Sequence, residues 1–241
     1  MRDALRHAVA EFIGIYALVF IGSAVLIVAR TGTTVTLIEI ALAHGIILGV
    51  MVTATMRISG HLNPAVTLGF LAARRITLTF AGIYIAAQLL GAMAAAYTLR
   101  AVFPLSDFIA ARGGGQVVAS TVSSGSAYLL EAIATFFLTF VVFGTAVDPH
   151  APPVGGMAIG LTIAADILAI GPLTGASMNP ARSFGPAVAS GIYEGQAIYW
   201  IGPILGSIAA ALIYDTLFLR RGREPVLHGP IDPEPGPRHH S

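Results

Sequence analysis

Six long apolar segments with few charged residues recur along the chain. They lie at about 8–29, 36–57, 78–99, 128–148, 153–172 and 197–219. The hydrocarbon core of a bilayer is about 30 Å thick, and an apolar helix of about 20 residues is long enough to cross it. The pattern therefore predicts an all-α membrane protein with six transmembrane helices.

Two shorter helical segments, at about 64–74 and 180–190, each begin with Asn-Pro-Ala. The two copies of this motif are Asn63, Pro64 and Ala65, and Asn179, Pro180 and Ala181. Asn is a favoured N-cap and Pro suits the first helical position, so each motif predicts a helix start. A helix of about ten residues rises about 15 Å, which is half the hydrocarbon thickness. Two such half-helices that enter from opposite faces would meet near the midplane, N-terminus to N-terminus.

The chain divides into two similar parts, residues 1–120 and 121–222, each with three long segments and one half-helix. The first segments align through Glu11-Phe12-Ile13 and Glu131-Ala132-Ile133. Because three is an odd number, the second part must cross the membrane in the opposite direction, as in inverted-repeat proteins. Residues 223–241 are rich in Pro and lack an apolar period, which predicts a disordered tail.

Composition and charge exclude several functional classes. Hydrophobic residues make up 56% of the chain and charged residues 10%, a balance typical of a polytopic membrane protein. Cysteine is absent, which removes disulfides, thiolate metal sites and thiol catalysis. The net charge is +1 and there is no Lys, so we expect no nucleic-acid surface, and neither a metal site nor a cofactor is indicated.

The distribution of Arg predicts the orientation of the chain. By the positive-inside rule, the side of the membrane with more Arg is cytoplasmic, and this places both termini in the cytoplasm. The residues on that side are Arg2, Arg6, Arg57, Arg74, Arg75, Arg220, Arg221 and Arg223, against Arg30, Arg100 and Arg112 on the other. Short termini without a targeting extension favour a bacterial plasma membrane.

The motifs in their sequence context resemble the major intrinsic protein (aquaporin) family. The two runs are Leu62-Asn63-Pro64-Ala65-Val66-Thr67-Leu68-Gly69 and Ser177-Met178-Asn179-Pro180-Ala181-Arg182-Ser183-Phe184-Gly185-Pro186-Ala187. The similarity extends from about residue 10 to about residue 219. It implies a passive channel without enzymatic activity, assembled as a homotetramer with one pore per subunit.

Glu11 and Glu131 occupy matching positions in the first helix of each half. A carboxylate within the membrane can accept hydrogen bonds from loop amides that would otherwise be unsatisfied. In the family, these glutamates support the loops that carry the Asn-Pro-Ala motifs. The alternative for both residues is a proton relay.

The resemblance also implies a four-residue constriction. It consists of His44 on the second span, Ile167 on the fifth, Ala176 and Arg182. This set is more similar to that of plant tonoplast intrinsic proteins than to that of strict water channels, and it predicts a wider aperture of different polarity. The alternatives are a packed core histidine for His44 and a snorkelling side chain for Arg182.

Two further residues carry open questions. His61 is expected by resemblance to line the cytoplasmic vestibule, with a loop-bracing role as the alternative. The family usually has one more residue between Ser59 and His61, which shifts the alignment of His44 relative to Asn63. Asp166 lies inside the fifth span, and we hypothesise that it fixes the tautomer of His44; a loop amide or a neighbouring subunit are alternative partners.

The sequence therefore predicts a passive channel for water and small neutral solutes, namely ammonia, hydrogen peroxide, urea or glycerol, that excludes ions and protons. Ser183, Ala187 and the pair Tyr199-Trp200 resemble the aquaporin branch, not the glycerol branch. One rival class is a secondary transporter, for which Asp166 is the candidate ion-coupling carboxylate. Another is a structural membrane protein with little permeability. The plant-like constriction leaves a vacuolar membrane open as the location.

Overall fold

The computed structural model describes residues 2–219, and the predicted tail at 223–241 lies outside the described residues. Within that range the chain forms α-helices and no strands. The helices are α1 (Arg2–Val28), α2 (Leu37–Thr55), α3 (Pro64–Ala72), α4 (Leu78–Val102), α5 (Leu105–Ala110), α6 (Ser124–Val142), α7 (Met157–Thr174), α8 (Pro180–Ser190) and α9 (Gln196–Leu217).

Six of these helices are long and apolar enough to cross a membrane, and they correspond one to one to the six predicted spans. α3 and α8 are the two predicted half-helices. The predicted fold class is confirmed. α6 continues through a π-helical turn over Phe143–Val147. The segment between α4 and α6 contains the unpredicted α5 and a 3-10 turn at Arg112–Gly114.

The predicted start of the fifth span at residue 153 is wrong by four residues. α7 begins at Met157, and Gly155 adopts a left-handed φ of 56°. Two prolines, Pro152 and Pro153, precede this turn and cannot supply backbone hydrogen-bond donors to a ladder. The backbone N–H of Gly156 instead donates to Thr53 Oγ1 at 2.8 Å, which ties the turn to α2.

The long helices pack in pairs, α1 with α4, α2 with α7, and α6 with α9. Close approach depends on small residues at four-residue spacing. A Cβ added to Gly45 would lie 2.6 Å from the Gly160 carbonyl oxygen, and one added to Gly206 would collide with the Ala132 backbone. The glycines therefore let these backbones come into direct contact.

Each half-helix packs chiefly against a long helix of the other half of the chain, α3 against α9 and α8 against α4. Both begin as the sequence predicts. Asn63 and Asn179 are N-caps in extended conformation, and Pro64 and Pro180 take the first helical position. The fold thus interlocks its two halves around the paired N-termini.

Candidate functional site

The two Asn-Pro-Ala motifs meet through reciprocal hydrogen bonds. Asn63 Nδ2 donates to the carbonyl of Met178 at 2.8 Å, and Asn179 Nδ2 donates to the carbonyl of Leu62 at 2.8 Å. Each asparagine also caps its own helix, because its Oδ1 accepts from the backbone N–H two residues later. Since an amide has two N–H donors, each Asn keeps one for other partners.

The carbonyls that accept these bonds are presented by an unusual backbone. Leu62 and Met178, each immediately before its Asn, have φ values of 50° and 54°. Non-glycine residues rarely adopt this left-handed conformation, and it persists only where surrounding contacts hold it. The same conformation at equivalent positions of both halves indicates that the two loops are built alike.

Glu11 supplies the contacts that hold the first loop. Its carboxylate accepts from the backbone N–H groups of His61 at 2.8 Å and Leu62 at 2.6 Å, and from Gln88 Nε2 at 2.6 Å. The side chain is fully buried. These bonds satisfy loop donors that lie outside any helical ladder.

Glu131 holds the second loop in the same way. It accepts from Thr174 Oγ1 at 2.7 Å and from the backbone N–H groups of Ser177 at 2.9 Å and Met178 at 2.8 Å. Its exposed fraction is also zero. The two carboxylates are therefore positioned as the predicted loop supports.

A central cavity runs beside the paired motifs and contains about 450 Å³ of empty space, part of it open to solvent. All four predicted constriction residues, both motif asparagines and His61 line it. The remaining walls are largely aliphatic and come from α1, α2, α3, α6 and α7. These side chains are Leu18, Leu48, Val52, Val66, Leu138, Val142, Ile159 and Ile163.

His44 and Arg182 contact each other within this cavity. Arg182 Nη2 lies 2.8 Å from His44 Nε2, and His44 Nδ1 lies 2.8 Å from the carbonyl of Ile40. A guanidinium only donates and a carbonyl only accepts, so the imidazole must carry its proton on Nδ1 and accept at Nε2. Gly22 leaves room for the ring, because a Cβ there would collide with it.

The hypothesis that Asp166 orients His44 is wrong, because both imidazole nitrogens already have other partners. Asp166 is nearly buried on α7, and its Oδ2 has no hydrogen-bond partner. Among the described residues, no group of three or more His, Asp or Glu side chains is placed to hold a metal ion.

His61 has contacts that fit both roles that the sequence suggests, cavity lining and loop bracing. Its ring lines the central cavity and packs against Phe70, with ring centroids 4.2 Å apart. Its Nδ1 lies 3.1 Å from Thr67 Oγ1, and its backbone N–H belongs to the Glu11 network. The same residue therefore lines the cavity and braces the loop.

Sequence reasoning missed Gln88 and Tyr199 as parts of this site. Gln88 lies buried within α4 and joins Glu11 to Thr67 through its Nε2. The hydroxyl of Tyr199 donates to the carbonyl of Thr174 at 2.8 Å. A glutamine in the middle of an apolar span was a usable signal, because polar residues at this depth need partners.

The fold and the cavity define a helical membrane protein with a path between two inverted half-helices. The family described as Major intrinsic protein matches residues 1–214, and the chain belongs to this family.

Curated relatives cover most of the chain. Aquaporin TIP4-4 of Zea mays is 42% identical over 236 residues, which cover 92% of this chain and 90% of the relative. Nodulin-26 of Glycine max is 42% identical over 217 residues, covering 88% and 77%. The structure of the aquaglyceroporin from Plasmodium falciparum matches with a TM-score of 0.76 at 23% identity, covers 89% of this chain and 96% of its own, and supports the fold.

Proposed function

We propose that the chain is a passive channel for water and small neutral solutes, with the central cavity as its path. The observation that carries this proposal is a single cavity lined by both motif asparagines and by His44, Ile167 and Arg182. Apolar walls with a few polar groups allow water to pass while offering it few hydrogen bonds on the way.

The asparagine pair is the proposed midpoint of the path. The N-termini of α3 and α8 converge there, and both helix dipoles direct positive potential at the same point. Water orients its oxygen toward the free N–H groups of Asn63 and Asn179 and points its hydrogens away in both directions. A proton therefore finds no continuous chain of hydrogen bonds, and cations meet like charge.

Arg182, His44, Ile167 and Ala176 are the proposed constriction. Arg182 is 5% exposed, and its Nη1 has no hydrogen-bond partner in the protein. This nitrogen is free to donate to a passing solute, while the guanidinium charge repels cations. Ala176 is small, and the His44 ring is held against Arg182. These features favour an aperture that admits urea, glycerol, ammonia or hydrogen peroxide.

The assembly and the membrane are part of the same proposal. We expect a homotetramer with both termini in the cytoplasm, which native mass spectrometry and accessibility labelling of introduced cysteines would test. The expected bacterial plasma membrane gains no support from the curated relatives reported above, which are proteins of the plants Zea mays and Glycine max. Imaging of the tagged chain in its own cells decides between a plasma membrane and a vacuolar one.

The decisive experiment is osmotic shrinkage of proteoliposomes that contain the purified protein. A channel gives fast water flux with a weak temperature dependence, whereas a transporter gives saturable, ion-coupled uptake. Parallel assays with glycerol, urea and ammonia define the range of solutes. Val66→Trp, which fills the central cavity from α3, should abolish flux, while Leu90→Trp on the exposed face of α4 serves as the matched control. Equal flux in both variants would overturn the proposed path.

A further inference from the structure

Gly22 lies buried in the interior of α1, and its own backbone does not require a glycine. It is not among the glycines with a left-handed φ. Because a helical glycine is less favourable than Ala, its presence here needs a reason outside the helix. The reason is space, since a Cβ at Gly22 would lie 2.4 Å from Nε2 and 2.5 Å from Cδ2 of His44.

The contact at Gly22 differs in kind from the contacts at glycines that let helices pack. At Gly45 and Gly206 the atom closest to an added Cβ belongs to the backbone of a neighbouring helix. At Gly22 the three nearest atoms all belong to the imidazole ring of His44. Gly22 therefore makes room for one side chain of the proposed constriction, whereas the other two glycines let backbones approach each other.

The ring nitrogen closest to Gly22 is also the one that contacts Arg182. His44 Nε2 lies 2.8 Å from Arg182 Nη2, and His44 Nδ1 lies 2.8 Å from the carbonyl of Ile40. The His44 side chain is enclosed on nearly all sides, with an exposed fraction of 1%. A methyl group at Gly22 would therefore displace the ring edge that accepts the hydrogen bond from Arg182.

The surroundings of α1 determine where a displaced ring would go. Ser23 is 3% exposed and holds α1 against the 3-10 turn, where a Cβ at Gly114 would lie 2.4 Å from the Ser23 Cβ. Leu18, one turn before Gly22 on the same face of α1, lines the central cavity. Packed interiors contain few voids, and the central cavity is the empty space that the His44 ring lines. A ring displaced from α1 would therefore enter this cavity.

We propose that Gly22 is a specificity-determining residue of the channel. Because Gly22 has no side chain, the His44 ring lies close to α1 and leaves an aperture wide enough for urea and glycerol as well as water. The inference rests on the proposed function, since it concerns the same path. It gives α1, which contributes no residue to the predicted constriction, control over the width of that constriction.

Gly22→Ala tests this assignment in proteoliposomes. The added methyl group should push the His44 ring into the cavity, so urea and glycerol flux should fall several-fold relative to water flux. Stopped-flow light scattering measures all three fluxes. Gly82→Ala is the matched control, because Gly82 also lies within a long helix and a Cβ there would meet no atom within 4 Å. Its ratio of urea flux to water flux should match that of the parent protein.

A double-mutant cycle shows whether the effect of Gly22→Ala depends on His44. In His44→Ala no ring remains to be displaced, so the addition of Gly22→Ala should leave the ratio of urea flux to water flux unchanged. An equal fall in both backgrounds, or no fall in Gly22→Ala when the parent protein conducts, would overturn this inference alone. A parent protein without water flux would overturn the proposed channel, and this inference with it.

The same pair of residues provides a test if Gly22→Ala alone does not fold. The double variant Gly22→Ala/His44→Ala should then fold, because the smaller side chain at position 44 leaves room for the methyl group. Thermal unfolding in detergent compares it with His44→Ala. If His44→Ala folded and the double variant did not, the collision with the His44 ring would not be the cause, and the inference would be overturned.

Discussion

The two halves of the chain hold their Asn-Pro-Ala loops with nearly the same kinds of residue, and they differ at one decisive position in the half-helix. In each half a buried glutamate holds a loop, a left-handed residue precedes Asn, and Asn-Pro starts a half-helix. Three residues after Asn, however, the first half has Val66 and the second has Arg182. In the proposed channel, the shared residues support the path, and the exchange of Val for Arg gives the starts of the two half-helices different chemistry.

The largest expected effect comes from removing the shared support. Glu131→Ala leaves Thr174, Ser177 and Met178 without their acceptor, and each unsatisfied buried donor costs about 1–3 kcal/mol. Glu11→Ala likewise leaves three donors without an acceptor. The free energy of unfolding of both variants should therefore fall by several kcal/mol, and little folded protein should be obtained. Thermal unfolding in detergent measures this loss.

Glu39→Ala is the matched control, since this exposed glutamate belongs to the capping box at the start of α2. Its loss should cost about 1 kcal/mol or less. If Glu11→Ala and Glu131→Ala differed widely in stability, the structural equivalence of the halves would not extend to energetics.

The next largest effect should come from making the halves alike at the decisive position. Arg182→Val removes the fixed charge and the unpartnered Nη1 donor from the central cavity. We expect glycerol and urea flux to rise several-fold and cation leakage to appear, with less change in water flux. Stopped-flow light scattering and proteoliposome conductance measure these quantities. Val66→Ala, at the equivalent position, should leave selectivity unchanged; a similar shift in both variants would contradict the assignment.

A smaller effect is expected at the contact that holds Arg182. His44→Phe removes the imidazole acceptor for Nη2 and places a larger ring in the aperture. Urea and glycerol flux should fall while water flux persists. His44→Gln, which can still accept from Arg182, should retain more urea flux than His44→Phe, and equal fluxes would exclude a role for this hydrogen bond.

The smallest effect concerns a difference between the C-terminal ends of the first helix of each half. Asp148 follows the π turn of α6, and Leu26 occupies the matching position of α1. Asp148 accepts from the His150 backbone N–H at 2.8 Å and from the Tyr214 hydroxyl at 3.1 Å. The bond from the His150 backbone is the main reason why the pKa of Asp148 is lowered.

A lowered pKa means that the ionised carboxylate stabilises the folded state above its usual pKa and ceases to do so as the pH falls through the folded value. Asp148→Asn should therefore reduce the unfolding temperature slightly at neutral pH, and the difference should disappear in acid. Thermal scans between pH 3 and pH 7 (about one unit below the usual Asp value and well above it) measure it, with His150→Ala as a background that keeps the backbone donor. A difference that persists in acid would contradict this linkage.

The sequence predicted the architecture because its signals are local. Apolar length defined the spans, and Asn63-Pro64 and Asn179-Pro180 define helix starts through their own capping chemistry. The start of α7 was misplaced because hydrophobicity alone does not register the two prolines and the left-handed Gly155.

The contacts of the site were harder to predict, because they depend on which helices become neighbours. Glu11 and Glu131 could be assigned from their matching positions. The contact between His44 and Arg182 joins residues that are 138 positions apart in the sequence. Because His44 and Asp166 both lie inside membrane spans, the sequence wrongly suggested Asp166 as the partner of His44.

The exchange of half-helices between the two parts has a consequence for biosynthesis. α3 rests on α9, and the Asn63 amide reaches Met178, so a nascent chain that has emerged only as far as the third span lacks the surfaces that seat its own half-helix. The central cavity can form only after the last helix leaves the ribosome and the translocon. Two separately expressed fragments should for the same reason be inert alone and regain conductance of water when produced together.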